Sequence, residues 1–454
     1  MTTRGFSVRW NDIDEHEPML RDTGATTARL FMCWKYLQSG RQPSPIDMSL
    51  TVEQAMRDGD SLADAFLRRP ELQRGLNHTA AQLGRIAALG MRWFLSIGDG
   101  GANCLPSVVD SRNVSAPAVA MDPNIVGSET YLAHSYVLTR ALVRRFKSNA
   151  EAIQLGNELN YCWVAALGGE FHWADGSLAP RQSHASRLRD LPALRRAHGP
   201  AGGREGPTSW LTALIGQWGN ASFIDRAVAV LDSAVKAEDA SLPTSINYMV
   251  DVPPSFSALA EMPDWRDLAQ RQPWQGAQQV LAIDSYPNFV FAQPPRSDIV
   301  RSRVQEAVAL AAGSPVWIAE TGIGVLHAPT SEAFSATNFS AANQAQYYAD
   351  SYKQAEMAGA TGFFAFGWWR DAGISEPAGG FLADDQTGLM DIADLYLNGT
   401  AAIGALAEFA LSHLEYAAGR LVPLVTNVST HFGVFDESGN PRPAAAELKR
   451  LFAD

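Results

Sequence analysis

Short apolar runs alternate with helix-patterned segments along this chain, and eight such pairs follow one another. That alternation predicts an α/β protein, a (β/α)8 TIM barrel of parallel strands. The runs are almost continuously apolar, as strands buried on both faces are. Two of them, Gln154-Leu155-Gly156-Asn157-Glu158 and Val316-Trp317-Ile318-Ala319-Glu320, end on a glutamate. In a parallel barrel the C-terminal strand ends form the rim where chemistry is done.

The elements read in order as follows. Residues 5–10 are the first strand, a short segment around 17–21 leads on, and 27–32 are the second. A loop rich in Pro, Ser and Gly precedes helical sequence in which Leu83, Ile86 and Leu89 recur at helical spacing, with Gly90 where a C-terminal cap belongs. The third strand spans 91–97 and runs into Gly98-Asp99-Gly100-Gly101. A helix over about 131–147 precedes the fourth strand, 152–156. The stretch at about 164–208, with six arginines among Pro and Gly, reads as a long loop insertion after strand four.

Alternation then resumes. Ser222 with Asp225 resembles a capping box, and Val228, Leu231 and Val235 form the apolar stripe behind it. Strands follow at 244–249 and 280–285, then a helix at about 298–312 closed by Gly313. Strand seven is 316–320. A helix at about 343–358 ends at Gly359, and strand eight is 361–367, followed by Trp368 and Trp369. A second insertion occupies about 370–431. The last helix begins near Pro443, a residue suited to a first helical turn. The first and last units are expected to close the ring.

Composition narrows the function. At about 150 residues per domain, 454 residues suggest three domains. The eight regular units instead predict one catalytic domain over 1–454, with insertions at about 164–208 and 370–431. A formal net charge of -12 argues against nucleic acid or an anionic membrane as partner. The three cysteines, Cys33, Cys104 and Cys162, are odd in number and widely spaced, which predicts free thiols. No apolar signal segment stands at the N-terminus and no run is long enough to span a bilayer, so a cytoplasmic protein is expected. The histidines are scattered without metal-ligand spacing, and no nucleotide-binding glycine motif occurs. Neither a metal nor any other cofactor is expected.

Two carboxylates on one rim suit glycosidic bond cleavage. One protonates the leaving oxygen, and the other, about 5–5.5 Å away in retaining enzymes, attacks the anomeric carbon. Glu158 and Glu320 are the candidates.

The motifs around them make the chain resemble glycoside hydrolase clan A, a group of retaining (β/α)8-barrel enzymes. Asn157-Glu158 matches the clan's Asn-Glu pair at the end of strand four, and Glu320 in Ile318-Ala319-Glu320-Thr321-Gly322 matches the strand-seven nucleophile. The resemblance implies that Glu158 is the acid/base, Glu320 the nucleophile, and Asn157 the partner of the sugar 2-hydroxyl. It also implies that Arg29 lies beside the nucleophile, that Tyr286 bonds it, and that Trp368 floors the sugar. Where many members carry a histidine after strand three, this chain has Gly98-Asp99-Gly100. Asp99 there either binds a sugar hydroxyl or makes the turn. Phe432-Gly433-Val434-Phe435-Asp436 resembles the clan's closing segment. The expected activity is hydrolysis of β-glycosidic bonds in oligosaccharides or small β-glycosides. Transglycosylation by the same pair and a carbohydrate-binding barrel without turnover are the alternatives.

Overall fold

The computed structural model describes residues 1–8, 13–32, 34–37, 47, 49–97, 129–160, 220–251, 263–287, 296–325, 340–369 and 432–453. Asp99, the three cysteines and both insertions lie outside the described residues.

Eight parallel strands close into a ring in chain order. They are β1 Thr3–Val8, β2 Thr27–Met32, β3 Arg92–Ile97, β4 Ala150–Leu155, β5 Thr244–Met249, β6 Gln279–Asp284, β7 Val316–Thr321 and β8 Gly362–Trp368. β1 pairs with both β2 and β8, so the first and last units meet as expected. The predicted bounds hold for β2 and β5 and drift by one or two residues elsewhere. β4 starts at Ala150 and stops at Leu155, before the predicted end at Gly156. Gly156 has φ +85°, outside extended backbone, and so cannot continue the strand.

Side chains alternate across each strand, and the inward set changes character along the barrel. Toward the N-terminal ends the lumen is filled by Phe94, Ala152, Val280, Ala282, Trp317, Ala319 and Phe364. Three of their rings lock together, with Phe94 5.2 Å from Trp317 at 89° and 5.3 Å from Phe364. The barrel is therefore a packed core rather than a pore. Two residues further along several strands the inward positions turn polar: Ser7, Arg29, Ser96, Gln154, Asn247 and Asp284 are all buried. This polar tier rests on the apolar floor.

Helices cover the outside. Glu129–Phe146 packs on Ala221–Glu238, and Ala341–Met357 on the terminal helix Pro443–Ala453. The helix Gln73–Ala88 precedes Gly90, whose φ of +76° suits the predicted cap position. One predicted start is corrected. The helix Ala221–Glu238 is capped by Asn220, whose side chain accepts from the Ser222 N–H. Asn220 lies one residue before the helix and is itself a strong capping residue, so no Ser222 box is needed. After β8, Val434 donates its N–H to the Gly367 carbonyl (2.8 Å), which brings the closing segment back to the barrel. No helix among the described residues is long and apolar enough to cross a membrane.

Candidate active site

The end of β4 is built around a bend. Beyond Leu155 the chain turns at Gly156, and Glu158 has φ +46°, a left-handed value unusual outside glycine. Such a conformation costs an L-residue roughly 1–2 kcal/mol and needs outside support. Support comes from β5: the Glu158 N–H donates to the Asn247 side-chain oxygen (2.7 Å), and the Leu159 N–H to the Asn247 carbonyl (3.1 Å). From inside the barrel, the Gln154 amide nitrogen lies 2.8 Å from the Gly156 carbonyl and 2.9 Å from the Asn157 side-chain oxygen. Asn157 is thereby fixed by its oxygen, which leaves its NH2 for a ligand.

Glu320, on β7, is 5% exposed, and its two oxygens have different donors. Arg29 Nη1 donates to Oε1 at 2.6 Å, and the Tyr286 hydroxyl donates to Oε2 at 2.7 Å. Arg29 is fully buried on β2 and also donates to Ser7 (3.2 Å), Gln154 (3.0 Å) and Asn157 (2.8 Å). One guanidinium thus ties the β7 carboxylate to the β4 end. Charge-assisted bonds of this kind are shorter and roughly twice as strong as neutral ones. Burial, and then the Glu320 charge, push the Tyr286 phenol well above its usual range, so it remains a donor.

Two buried residues beneath this pair lay outside the sequence-based candidate set. Asn247 donates its NH2 to Asp284 Oδ1 (2.9 Å), and Asp284 is the β6 register partner of Glu320. Burial, followed by the charge of Glu320, pushes the Asp284 carboxyl well above the usual carboxylate range. Arg29 opposes that rise, and Glu158 adds to it. The signal was present in Val280-Leu281-Ala282-Ile283-Asp284, an apolar strand ending on an acid as the two glutamate strands do.

The structure therefore brings Arg29, Asn157, Tyr286 and Glu320 into one hydrogen-bonded group. The charge of Glu158 acts on Asp284 and Tyr286 alongside that of Glu320. Trp368 stands elsewhere. Its ring lies 4.0 Å from Phe6 and 5.3 Å from Phe435, and Phe6 in turn packs on Phe452 of the terminal helix. At 1% exposure and with these ring contacts, it packs as a core residue between sheet and helix. Phe31 and Phe366 are partly exposed rings beside the site. Arg29 lies over the Phe31 ring at 4.5 Å, and Phe366 meets Tyr286 edge-on at 5.8 Å. Nothing in the sequence separates these two from the other strand phenylalanines; the alternation of side chains along β2 and β8 does. Among the described residues no group of His, Cys, Asp and Glu could hold a metal ion.

No protein-family profile matches the chain, and no curated protein sequence does. Its fold is similar to that of several solved structures. A GH5_18 protein of Streptomyces cattleya in complex with GlcNAc superposes with a TM-score of 0.54 at 12% identity, over 99% of this chain and 79% of that one. A GH5_18 protein of Bifidobacterium longum subsp. infantis gives 0.52 at 13% identity, over 100% and 78%. A variant GH5_18 of Bifidobacterium longum subsp. longum in complex with Manb1-4GlcNAc gives 0.52 at 12% identity, over 100% and 78%. At such identities the likeness is one of fold.

Proposed function

We propose that this protein is a retaining β-glycosidase acting on oligosaccharides or small β-glycosides, with Glu320 as nucleophile and Glu158 as acid/base. The observation that supports this most is the hold on Glu320. A carboxyl with one oxygen on a buried Arg29 and the other on Tyr286 is fixed in place beside a cation, as a nucleophile should be. The same arginine orients Asn157, next to Glu158, so both strand ends are set by one cation.

In the first step a Glu320 oxygen bonds to the anomeric carbon while the glycosidic bond breaks. The leaving oxygen takes the proton of Glu158, and a glycosyl ester of Glu320 remains. Arg29 and Tyr286 follow the charge as it leaves the carboxylate. In this reading the NH2 of Asn157 bonds the sugar 2-hydroxyl, a contact that tightens as positive charge grows on the ring. In the second step Glu158, now ionised, takes a proton from water. That water attacks the anomeric carbon, the ester bond breaks, and both glutamates return to their starting forms.

The test is a panel of aryl β-glycosides that includes β-mannosides, since one fold neighbour was solved with Manb1-4GlcNAc. Wild-type hydrolysis should follow a bell-shaped pH profile in kcat/KM, reporting one acid and one base. Glu320→Ala should lose hydrolysis and recover turnover with azide, giving the α-glycosyl azide. Glu158→Ala with azide should give the β-product instead. Turnover of every panel member by Glu320→Ala without azide, or no turnover by wild type, would sink the assignment.

A further inference from the structure

The polar tier beneath the two glutamates contains a pair that no step above uses. Asn247 is fully buried, and both ends of its amide are engaged: the oxygen accepts from the Glu158 N–H and the NH2 donates to Asp284. Asp284 is also fully buried, and its Oδ2 has no hydrogen-bond partner among the described residues. A carboxyl buried with one oxygen unsatisfied is costly and calls for a reason. The other oxygen supplies one. An amide can turn over end for end; the Glu158 N–H, which can only donate, and an acceptor at Asp284 together keep its oxygen toward Glu158 and its NH2 inward. That oxygen supports Glu158, a left-handed, non-glycine residue at φ +46°.

We propose that Asn247 and Asp284 form a positioning pair for the acid/base. Asp284 anchors the NH2 end of the Asn247 amide, and Asn247 holds the Glu158 peptide in the conformation that aims its carboxyl. The inference rests on the reading of Glu158 as acid/base. Neither residue is exposed to a sugar, so both act through Glu158. The raised affinity of Asp284 for its proton fits the role, because a neutral carboxyl still offers a carbonyl acceptor to Asn247 without adding a third charge.

The experiment measures kcat/KM on phenyl and 2,4-dinitrophenyl β-glycosides of one sugar that the wild type hydrolyses. The phenyl leaving group needs protonation by the acid; dinitrophenolate departs without it. Misplacing a reacting group by about 1 Å can cost about 100-fold in rate. Asn247→Ala and Asp284→Ala should therefore lose about 10- to 100-fold on the phenyl substrate and less than about 3-fold on the dinitrophenyl one. Asp284→Asn, which still offers an acceptor, should recover most of the loss seen in Asp284→Ala. Circular dichroism checks folding, and Asn247→Ser, a smaller perturbation expected to show the same bias, replaces any alanine variant that does not fold. Equal losses on both substrates would mean a merely structural role and overturn the pair. Glu158→Gln is run in parallel. If it shows the leaving-group bias and the pair variants do not, the positioning pair alone is wrong. If Glu158→Gln shows no bias, the acid/base assignment fails and the pair falls with it.

Discussion

Asp284 faces Glu320 across the β6–β7 register, with Arg29 and Glu158 acting on it as well. Its carboxyl binds a proton more tightly in the fold than in the unfolded chain, where an aspartate titrates near about 3.9. Below that pH both states hold the proton and the group contributes no penalty. As pH rises toward the folded value, the unfolded chain releases its proton first, and stability falls. Asparagine cannot titrate. The melting temperature of Asp284→Asn minus that of wild type should therefore grow from about pH 4 upward and level off once Asp284 ionises in the fold. Thermal scans across pH at fixed salt measure this, and a gap that stays constant or shrinks would contradict it. At this scale the sequence was legible where a residue type is tied to a strand end. Arg29, Asn157, Tyr286 and Glu320 stand out in the sequence by residue type at or near strand ends, and the fold joins them in one hydrogen-bonded group. Asn247 was not legible, because an inward asparagine on a strand does not announce its partners. Trp368 shows the converse. Its place at the end of β8 was readable, but which side of the sheet its ring takes depends on Gly367, whose φ of +114° breaks the alternation.

Strands and helices were readable from periodicity, and their bounds drifted where backbone geometry decides, as at Gly156 and Asn220. Contacts between distant helices were not readable at all. Arg140 and Arg144, on the helix Glu129–Phe146, converge on Glu238 of the helix Ala221–Glu238. The distances are 2.7 Å from Arg140 and 2.6 Å from Arg144, and the Glu238 side chain is 7% exposed. Asp60 touches both arginines from the helix Gly59–Leu67 but is 82% exposed. Geometry is similar in the two carboxylates, so burial should set their weights. Removing Glu238 leaves two cations without their buried partner, and Glu238→Ala should destabilise by about 3 kcal/mol. Asp60→Ala should cost much less than Glu238→Ala, since water already solvates that carboxylate. Urea midpoints of the two variants compare them directly, and equal shifts would refute the burial argument.

Closure of the ring joins the two ends of the described chain. β1 pairs with β8, and Phe452 of the terminal helix packs behind them on Phe6 (4.8 Å), Tyr352 (5.9 Å) and Phe363 (6.4 Å). Eight alternating units made this closure predictable, because a parallel sheet of that length covered by helices has few other ways to bury both faces. The site lies on the opposite side of the strands from Phe452. The inward residues of β1, Gly5 and Ser7, face Phe364 and Arg29, whereas Phe6 faces the helices. Outer packing and rim chemistry should then be separable. Phe452→Ala removes a fully buried ring and should destabilise by about 3–5 kcal/mol. Arg29 meets the inward face of β1 and Phe452 its outward face, so the folded fraction should keep kcat/KM within about 2-fold of wild type. That factor is about 0.4 kcal/mol in transition-state stabilisation, far below the loss in folding. Denaturant melts give the first quantity, and kinetics well below the new melting temperature give the second. A fall in kcat/KM matching the fall in stability would mean that the barrel transmits strain from its helical coat to its rim, and that the apolar floor does not insulate the site.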